Sequence, residues 1–244
     1  MSKYVLIIGA KSDIAKACAR EYAKGGYGLV LAARGVDELG GFASDIKIRH
    51  SVGVELRELD VTDFGSHRAF WDSLSPKPDG VLVAAGYMAE QKLCESDWGE
   101  TLRTINVNFT GAVSLLNIIA NDFESRGSGF IIGISSVAGD RGRATNYIYG
   151  ASKAAFSAYL SGLRNRLHGA GVRVLTVKPG FVATKMTQGL DLPAKLTAKP
   201  EDVAKDIVRA GQKGADALYT KGIWRLIMLI IKHIPERIFK KMRI

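Results

Sequence analysis

Only two cysteines occur in the 244 residues, Cys18 and Cys94. They stand far apart, in apolar or helical contexts and without metal-ligand spacing. That excludes a disulfide scaffold, gives no metal site, and points to free thiols in a reducing cytosol. Long hydrophobic runs are also missing: no stretch approaches the roughly 20 apolar residues of a membrane span. The opening, MSKYVLIIGAKSD, has an apolar run too short for a signal peptide, and Lys11 interrupts it. Hairpin signals, internal repeats and low-complexity linkers are absent too. Acid is scarce: 24 Asp and Glu face 34 Lys and Arg, a formal net charge of +10 with a pI near 9.6. Such a balance suits an anionic cofactor or substrate, an anionic membrane surface or nucleic acid. Nucleic acid is the poorest fit, because no aromatic-basic sheet face or recognition helix is apparent.

What is present is alternation. The segments Tyr4–Ile8, Gly28–Ala33, Val52–Leu59, Gly80–Ala85, Phe130–Ile134 and Val172–Val177 read as strands, Tyr4–Ile8 as a continuous apolar run. Helical patterns fall between and after them: Ile14–Lys24, a weaker Val36–His50, Phe64–Leu74, a long Asp97–Glu124, Tyr147–His168 and Pro200–Lys213. Continuous apolar strands separated by helices predict an α/β fold: a doubly wound Rossmann sheet of parallel strands flanked by helices. Residues 1–222 form a single domain in this reading, with 223–244 as an amphipathic, basic C-terminal tail. The ligand site of such a sheet lies at the carboxyl ends of its strands, by the topological switch point.

The strand ends carry the expected cofactor contacts. Gly9 lets backbone approach a pyrophosphate, and the amides of Lys11, Ser12, Asp13 and Ile14 lead into a helix N-terminus that favours anions. Asp13 is an unwelcome acid beside a phosphate, so its side chain is expected to cap that helix. At the second strand end Ala33 stands where an NAD enzyme usually places an acid. Arg34 follows it and Lys11 lies nearby; cations without a carboxylate suit a 2′-phosphate, hence NADPH over NADH. Asp60-Val61 ends the third strand beside the adenine, and Ala85-Gly86 ends the fourth with room for close backbone approach.

The chemistry is expected between Ile131 and Lys153. Tyr149 and Lys153 are four residues apart on one helix and share a face. An ammonium beside a phenol favours phenolate, which lets the Tyr exchange a proton near neutral pH. Ser136 supplies a hydroxyl to polarise the same substrate oxygen. Asn108, an awkward residue inside the long helix, can bind a water or a backbone carbonyl and hold open a proton path.

Taken in order, Gly9, Asp60-Val61, Ala85-Gly86, Asn108, Ser136, Tyr149, Lys153, Pro179-Gly180 and Thr184 make the chain resemble the short-chain dehydrogenase/reductase family up to about residue 220. It departs from the family pattern at Asp13 and Ala15 in the glycine turn, and at Val83-Ala84. The resemblance implies that Tyr149 is the general acid in ketone reduction, that Lys153 holds the nicotinamide ribose, and that Asn108 fixes a relay water. It also implies that Pro179, Gly180, Val182 and Thr184 hold the nicotinamide, that residues 181–200 form a mobile substrate lid, and that the chain pairs into a homodimer or homotetramer.

The tail adds a further expectation. Ile223, Ile227, Ile230, Ile231 and Ile234 fall on one helical stripe, and Pro235 ends or kinks the helix. Arg225, Lys232, Arg237, Lys240, Lys241 and Arg243 supply cations for anionic lipid heads; an oligomer contact or packing onto the same subunit is the other reading. His233-Ile234-Pro235 and Ile238-Phe239-Lys240 resemble the C-terminus of the decaprenylphosphoryl-2-keto-ribose reductases, as do Arg141, Arg143 and Val172–Leu175. That resemblance implies a keto sugar on a polyprenyl phosphate, reduced by a cytoplasmic enzyme peripheral to the membrane, with Arg141 and Arg143 in reach of a substrate phosphate. The competing readings are a reductase of another hydrophobic carbonyl, fatty-acyl or sterol-like, and a non-catalytic NADPH-binding sensor.

Overall fold

Tyr4–Ile8 is apolar throughout because both its faces are covered. Val5 and Ile7 point into one layer of core, Leu6 and Ile8 into the other. The computed structural model describes residues 3–242; Arg243, expected among the tail cations, lies outside them. Its elements run β1 (Tyr4–Ile8), α1 (Asp13–Lys24), β2 (Gly28–Ala33), α2 (Gly40–His50), β3 (Val54–Glu58), α3 (His67–Ser73) and β4 (Gly80–Val83). Then follow α4 (Gln91–Ser96), α5 (Trp98–Ile105), α6 (Gly111–Arg126), β5 (Gly129–Ile134), α7 (Tyr147–Leu167), β6 (Val172–Pro179), α8 (Pro200–Gln212), β7 (Ala217–Thr220), α9 (Ile223–His233) and α10 (Glu236–Phe239).

The strands form one seven-stranded sheet in the order β3-β2-β1-β4-β5-β6-β7. Every neighbouring pair is parallel. Residues of α1, α2 and α8 pack on one face, and residues of α3, α6 and α7 on the other. The expected doubly wound α/β sheet is therefore present. Small side chains on α1 (Ala15, Ala17, Cys18, Ala19, Ala23) are buried and let that helix lie close to its neighbours. The chain winds outward from β1 to β3, then returns to pair β4 with the other side of β1, so a crevice opens where β1 and β4 end.

Several expectations need correction. The helix expected over Asp97–Glu124 is interrupted at Asn106–Thr110, five residues wound as a π-helix, and continues beyond as α6. A seventh strand, β7, and the short α4 had no expected counterpart. The tail stripe is split: Ile227 and Ile231 pack with buried Trp224 and Met228, whereas Ile223 and Ile230 face outward with Leu226 and Leu229. Its helix is folded onto its own subunit and is apolar on its outer face as well. The α9 helix ends at His233 and α10 restarts after Pro235. Among the described residues no helix is long and apolar enough to cross a membrane, and no cluster of metal-ligating side chains occurs.

Candidate active site

The crevice is a cavity of about 500 Å³. Its lining begins at Gly9, Lys11, Ser12, Asp13 and Ile14, passes Arg34, Val61, Ala85 and Gly86, and reaches Ser136, Tyr149 and Lys153. Pro179, Gly180, Val182 and Thr184 close the other side, and Arg143 also faces in. Of the expected site residues, Asp60, Asn108 and Arg141 are not part of the wall.

Gly9 adopts a φ of +78°, and a Cβ there would stand 2.5 Å from the Ala85 nitrogen. Its lack of a side chain thus serves the meeting of β1 with the exit of β4, a different reason from close approach to a ligand. No side chain caps the first turn of α1 at Ser12, so its amides are free for an anion. The cap expected from Asp13 is not made. Asp13 Oδ2 instead accepts from the Lys185 amide at 2.8 Å and ties α1 to the segment after β6. That segment is fastened elsewhere too: Val182 bridges Ala198, and Thr184 and Thr187 form a reciprocal cap.

Carboxylates are not missing from the second strand end, contrary to the sequence-based expectation. Lys11 Nζ meets Glu38 Oε1 at 2.6 Å, and Arg34 stands 3.6 Å from Asp60. Glu58 accepts from the amides of Gly35 and Val36 at 2.9 and 3.0 Å. These acids arrive from the turn after β2 and from β3. Both ion pairs are exposed and screened by water, so each is weak and an incoming anion can replace them. Asp60 Oδ1 also accepts from the amide and hydroxyl of Thr62, which fixes the turn after β3.

At the inner end, Ser136 leaves β5 in an extended conformation and its hydroxyl accepts from the Ala138 amide at 3.1 Å. The preceding Ser135 donates to the Lys153 carbonyl at 2.9 Å and lies 2.7 Å from the Ser157 hydroxyl, seating α7 on the end of β5. Lys153 is 3% exposed and its Nζ donates to the Ile134 carbonyl at 3.1 Å. Burial lowers its pKa to about 8. Burial also raises the Tyr149 phenol, with the Ser136 hydroxyl acting weakly the other way. Desolvation, rather than the neighbouring ammonium, dominates the phenol here, so the expected shift toward phenolate is reversed in the free chain.

Asn108 is buried in the π-wound segment and spans two elements. Its Oδ1 accepts from the Tyr87 amide at 2.7 Å, and its Nδ2 donates to the Tyr87 carbonyl at 2.8 Å and to Ser152 Oγ at 3.0 Å. Ser152 Oγ in turn donates to the Tyr149 carbonyl at 2.7 Å. A Cβ on Gly86 would lie 3.6 Å from both Asn108 Oδ1 and Lys153 Nζ, so the amide and the amine converge at that glycine. Ser135, Ser152 and Tyr87 were not singled out in the sequence. Only Ser135 carried a local signal, as one half of a serine pair at a strand end.

Arg141 points into the tail. Its Nη1 donates to the carbonyls of Ile231 and Ile234, both at 2.6 Å, and its Nη2 pairs with Glu236 at 2.9 Å. Its guanidinium lies 3.7 Å from the centre of the Phe239 ring. These contacts close the end of α9, a role different from the expected reach toward a substrate phosphate.

Comparison with known proteins agrees with this architecture. The model of the short chain dehydrogenase family matches residues 3–194. An uncharacterized oxidoreductase of Mycobacterium tuberculosis is 34% identical over 241 residues, covering 98% of this chain and 96% of that protein. One from Streptomyces coelicolor is 34% identical over 246 residues, covering 98% and 95%. Among solved structures, a short-chain dehydrogenase from Sphingobium yanoikuyae in complex with NADPH superposes with a TM-score of 0.82 at 23% identity, covering 96% of this chain and 97% of that one. A 7beta-hydroxysteroid dehydrogenase superposes at 0.87 with 20% identity, covering 98% and 96%. The strand order, the crevice with its uncapped helix, and the family match across most of the chain carry one conclusion: the protein belongs to the short-chain dehydrogenase family and is an oxidoreductase.

Proposed function

We propose that the protein is an NADPH-dependent reductase that converts a ketone to a secondary alcohol. The observation that carries this reading is the meeting of Ser136, Tyr149 and Lys153 in one cavity wall, with Asn108 directly behind Gly86. The free first-turn amides of α1 and the cations Lys11 and Arg34 fit a dinucleotide with a 2′-phosphate. Bound NADPH supplies the hydride. Tyr149, protonated at neutral pH, gives its proton to the developing alkoxide, while Ser136 orients and polarises the carbonyl. The Lys153 ammonium stabilises the phenolate left behind and holds the nicotinamide ribose. Asn108 keeps the Gly86–Tyr87 backbone and Ser152 in place around them, beside the path for proton return.

The substrate we propose is a keto sugar carried on a polyprenyl phosphate, taken at the cytoplasmic surface of a membrane by a homodimer or homotetramer. Its support is the outer face of α9, where Ile223, Leu226, Leu229 and Ile230 are exposed on the helix that also carries Arg225 and Lys232. An apolar face rimmed by cations suits an anionic lipid surface. A second reading, reduction of a fatty-acyl or sterol-like ketone, draws on the apolar walls of Met88, Phe181, Met186 and Leu190. NADPH consumption across keto sugars, polyprenyl-linked sugars and lipid ketones tests both, with Tyr149→Phe as the control. Turnover with one of the sugars supports the first reading, and turnover confined to lipid ketones supports the second. NADPH binding with no turnover in the whole series would leave a cofactor-holding sensor. Co-sedimentation with anionic but not zwitterionic vesicles supports the membrane site; an equal response to both vesicle types sinks it.

A further inference from the structure

Arg143 and Asn146 lie between Ser136 and Tyr149 and take no part in the steps above. Both line the same cavity as those residues. Arg143 Nε and Asn146 Oδ1 are buried and have no hydrogen-bond partner. Arg143 has one recorded contact of this kind, from Nη2 to the thioether of Met228 at 3.4 Å, a weak acceptor. The acid that acts on it is Asp140, and Asp140 is already engaged. Its Oδ1 accepts from Lys178 at 2.5 Å and its Oδ2 from the Tyr219 hydroxyl at 2.6 Å. A guanidinium without a carboxylate and an amide oxygen without a donor are costly in a covered place. A ligand that brings an acceptor to one and a donor to the other removes both costs.

Resting on the reductase reading, we infer that Arg143 and Asn146 select a hydroxylated substrate bearing an oxyanion, the guanidinium taking the oxyanion and the amide oxygen accepting a hydroxyl. The oxyanion is a phosphate or a carboxylate. The same cavity wall carries the apolar Met88, Phe181, Met186 and Leu190 and two further cations, Lys153 and Lys185; of these three cations, Arg143 is the one with a buried nitrogen that has no partner. If Arg143 instead held the fold together, its removal would lower stability. As a ligand group left unpaired in the free chain, its replacement by Met should leave melting unchanged or raise it.

The test is calorimetric binding to the full chain saturated with NADP+, using ribulose, ribulose 5-phosphate and 2-keto-gluconate. The expected result is at least tenfold tighter binding of one anionic ketose than of ribulose, and which one identifies phosphate or carboxylate. Arg143→Met should erase that preference without lowering the melting temperature, and Arg143→Lys should restore part of it. Asn146→Leu should weaken all three sugars alike and keep the preference. Equal affinity for neutral and anionic sugars, no binding of any sugar, or a preference that survives Arg143→Met overturns the inference. Should Arg143→Met fail to fold, Arg143→Lys decides: a preference fully equal to that of the unaltered chain also overturns it. Anion-selective binding with no NADPH consumption on any sugar or lipid ketone of the series above would sink the reductase reading and leave this one standing.

Discussion

At the outer end of the cavity Lys11 and Arg34 sit in exposed pairs with Glu38 and Asp60. At the inner end Lys153 and Arg143 are covered and pair with no carboxylate among the described residues. The outer pairs exchange one set of weak contacts for another when an anion arrives, so that end tunes affinity and cofactor choice. The inner cations have been desolvated in advance, and burial pushes both of their pKa values down. Their charge acts in a medium where water screens it poorly, which is where a reaction gains most from it.

If that contrast is right, the inner end governs rate. Tyr149→Phe should lower kcat by about 10³-fold while fluorescence titration still shows NADPH binding; retained turnover would refute the assignment. Lys153→Met should lower kcat by about 10²-fold, and the protein without cofactor should melt higher at pH 7. The sign follows from the lowered value: folded Lys153 titrates near 8 instead of 10.5. Below pH 8 it is charged in both states and the full cost of burying it, about 3 kcal/mol for such a shift, is present. From pH 8 toward 10 the unfolded chain binds more protons, so the unaltered chain gains stability with rising pH. Lys153→Met should flatten that gain in melting curves taken between pH 7 and 9.5.

Smaller effects should follow at the outer end. Arg34→Ala should reduce the preference for NADPH over NADH by about 10-fold, the size of a lost charged hydrogen bond, with kcat unchanged in steady-state kinetics. A kcat loss equal to that of Lys153→Met would erase the contrast between the ends. Asp13→Ala releases the Lys185 amide and should raise KM a few-fold, roughly 1 kcal/mol, again without a change in kcat.

The inner strands β1, β2 and β4 were legible because their apolar runs are buried on both faces, and most of the helices because their apolar positions recur at helical spacing. β7 was not: Ala217–Thr220 is four residues at the sheet edge, only partly covered, and carries little pattern. The spacing of Tyr149 and Lys153 placed them on one helix, and the motif order joined them to Ser136 and Asn108. What neighbouring residues could not reveal was who bonds whom across the chain. Asp13 finds an amide 172 positions away, and Arg141 finds carbonyls 90 and 93 positions away. The phenol's direction was misjudged because spacing reports a nearby charge but says nothing of the water removed around it.

The clasp made by Arg141 has a consequence for how the protein is produced. The loop between Ser136 and Tyr149 is tied down by carbonyls at Ile231 and Ile234, which are synthesised long after it. Until they emerge, the sheet can assemble but Arg141 lacks its partners, and the loop is held through Asp140 to Lys178 and Tyr219. A chain stopped just after β7 should therefore retain its dinucleotide crevice and hold this loop by Asp140, without the Arg141 clasp.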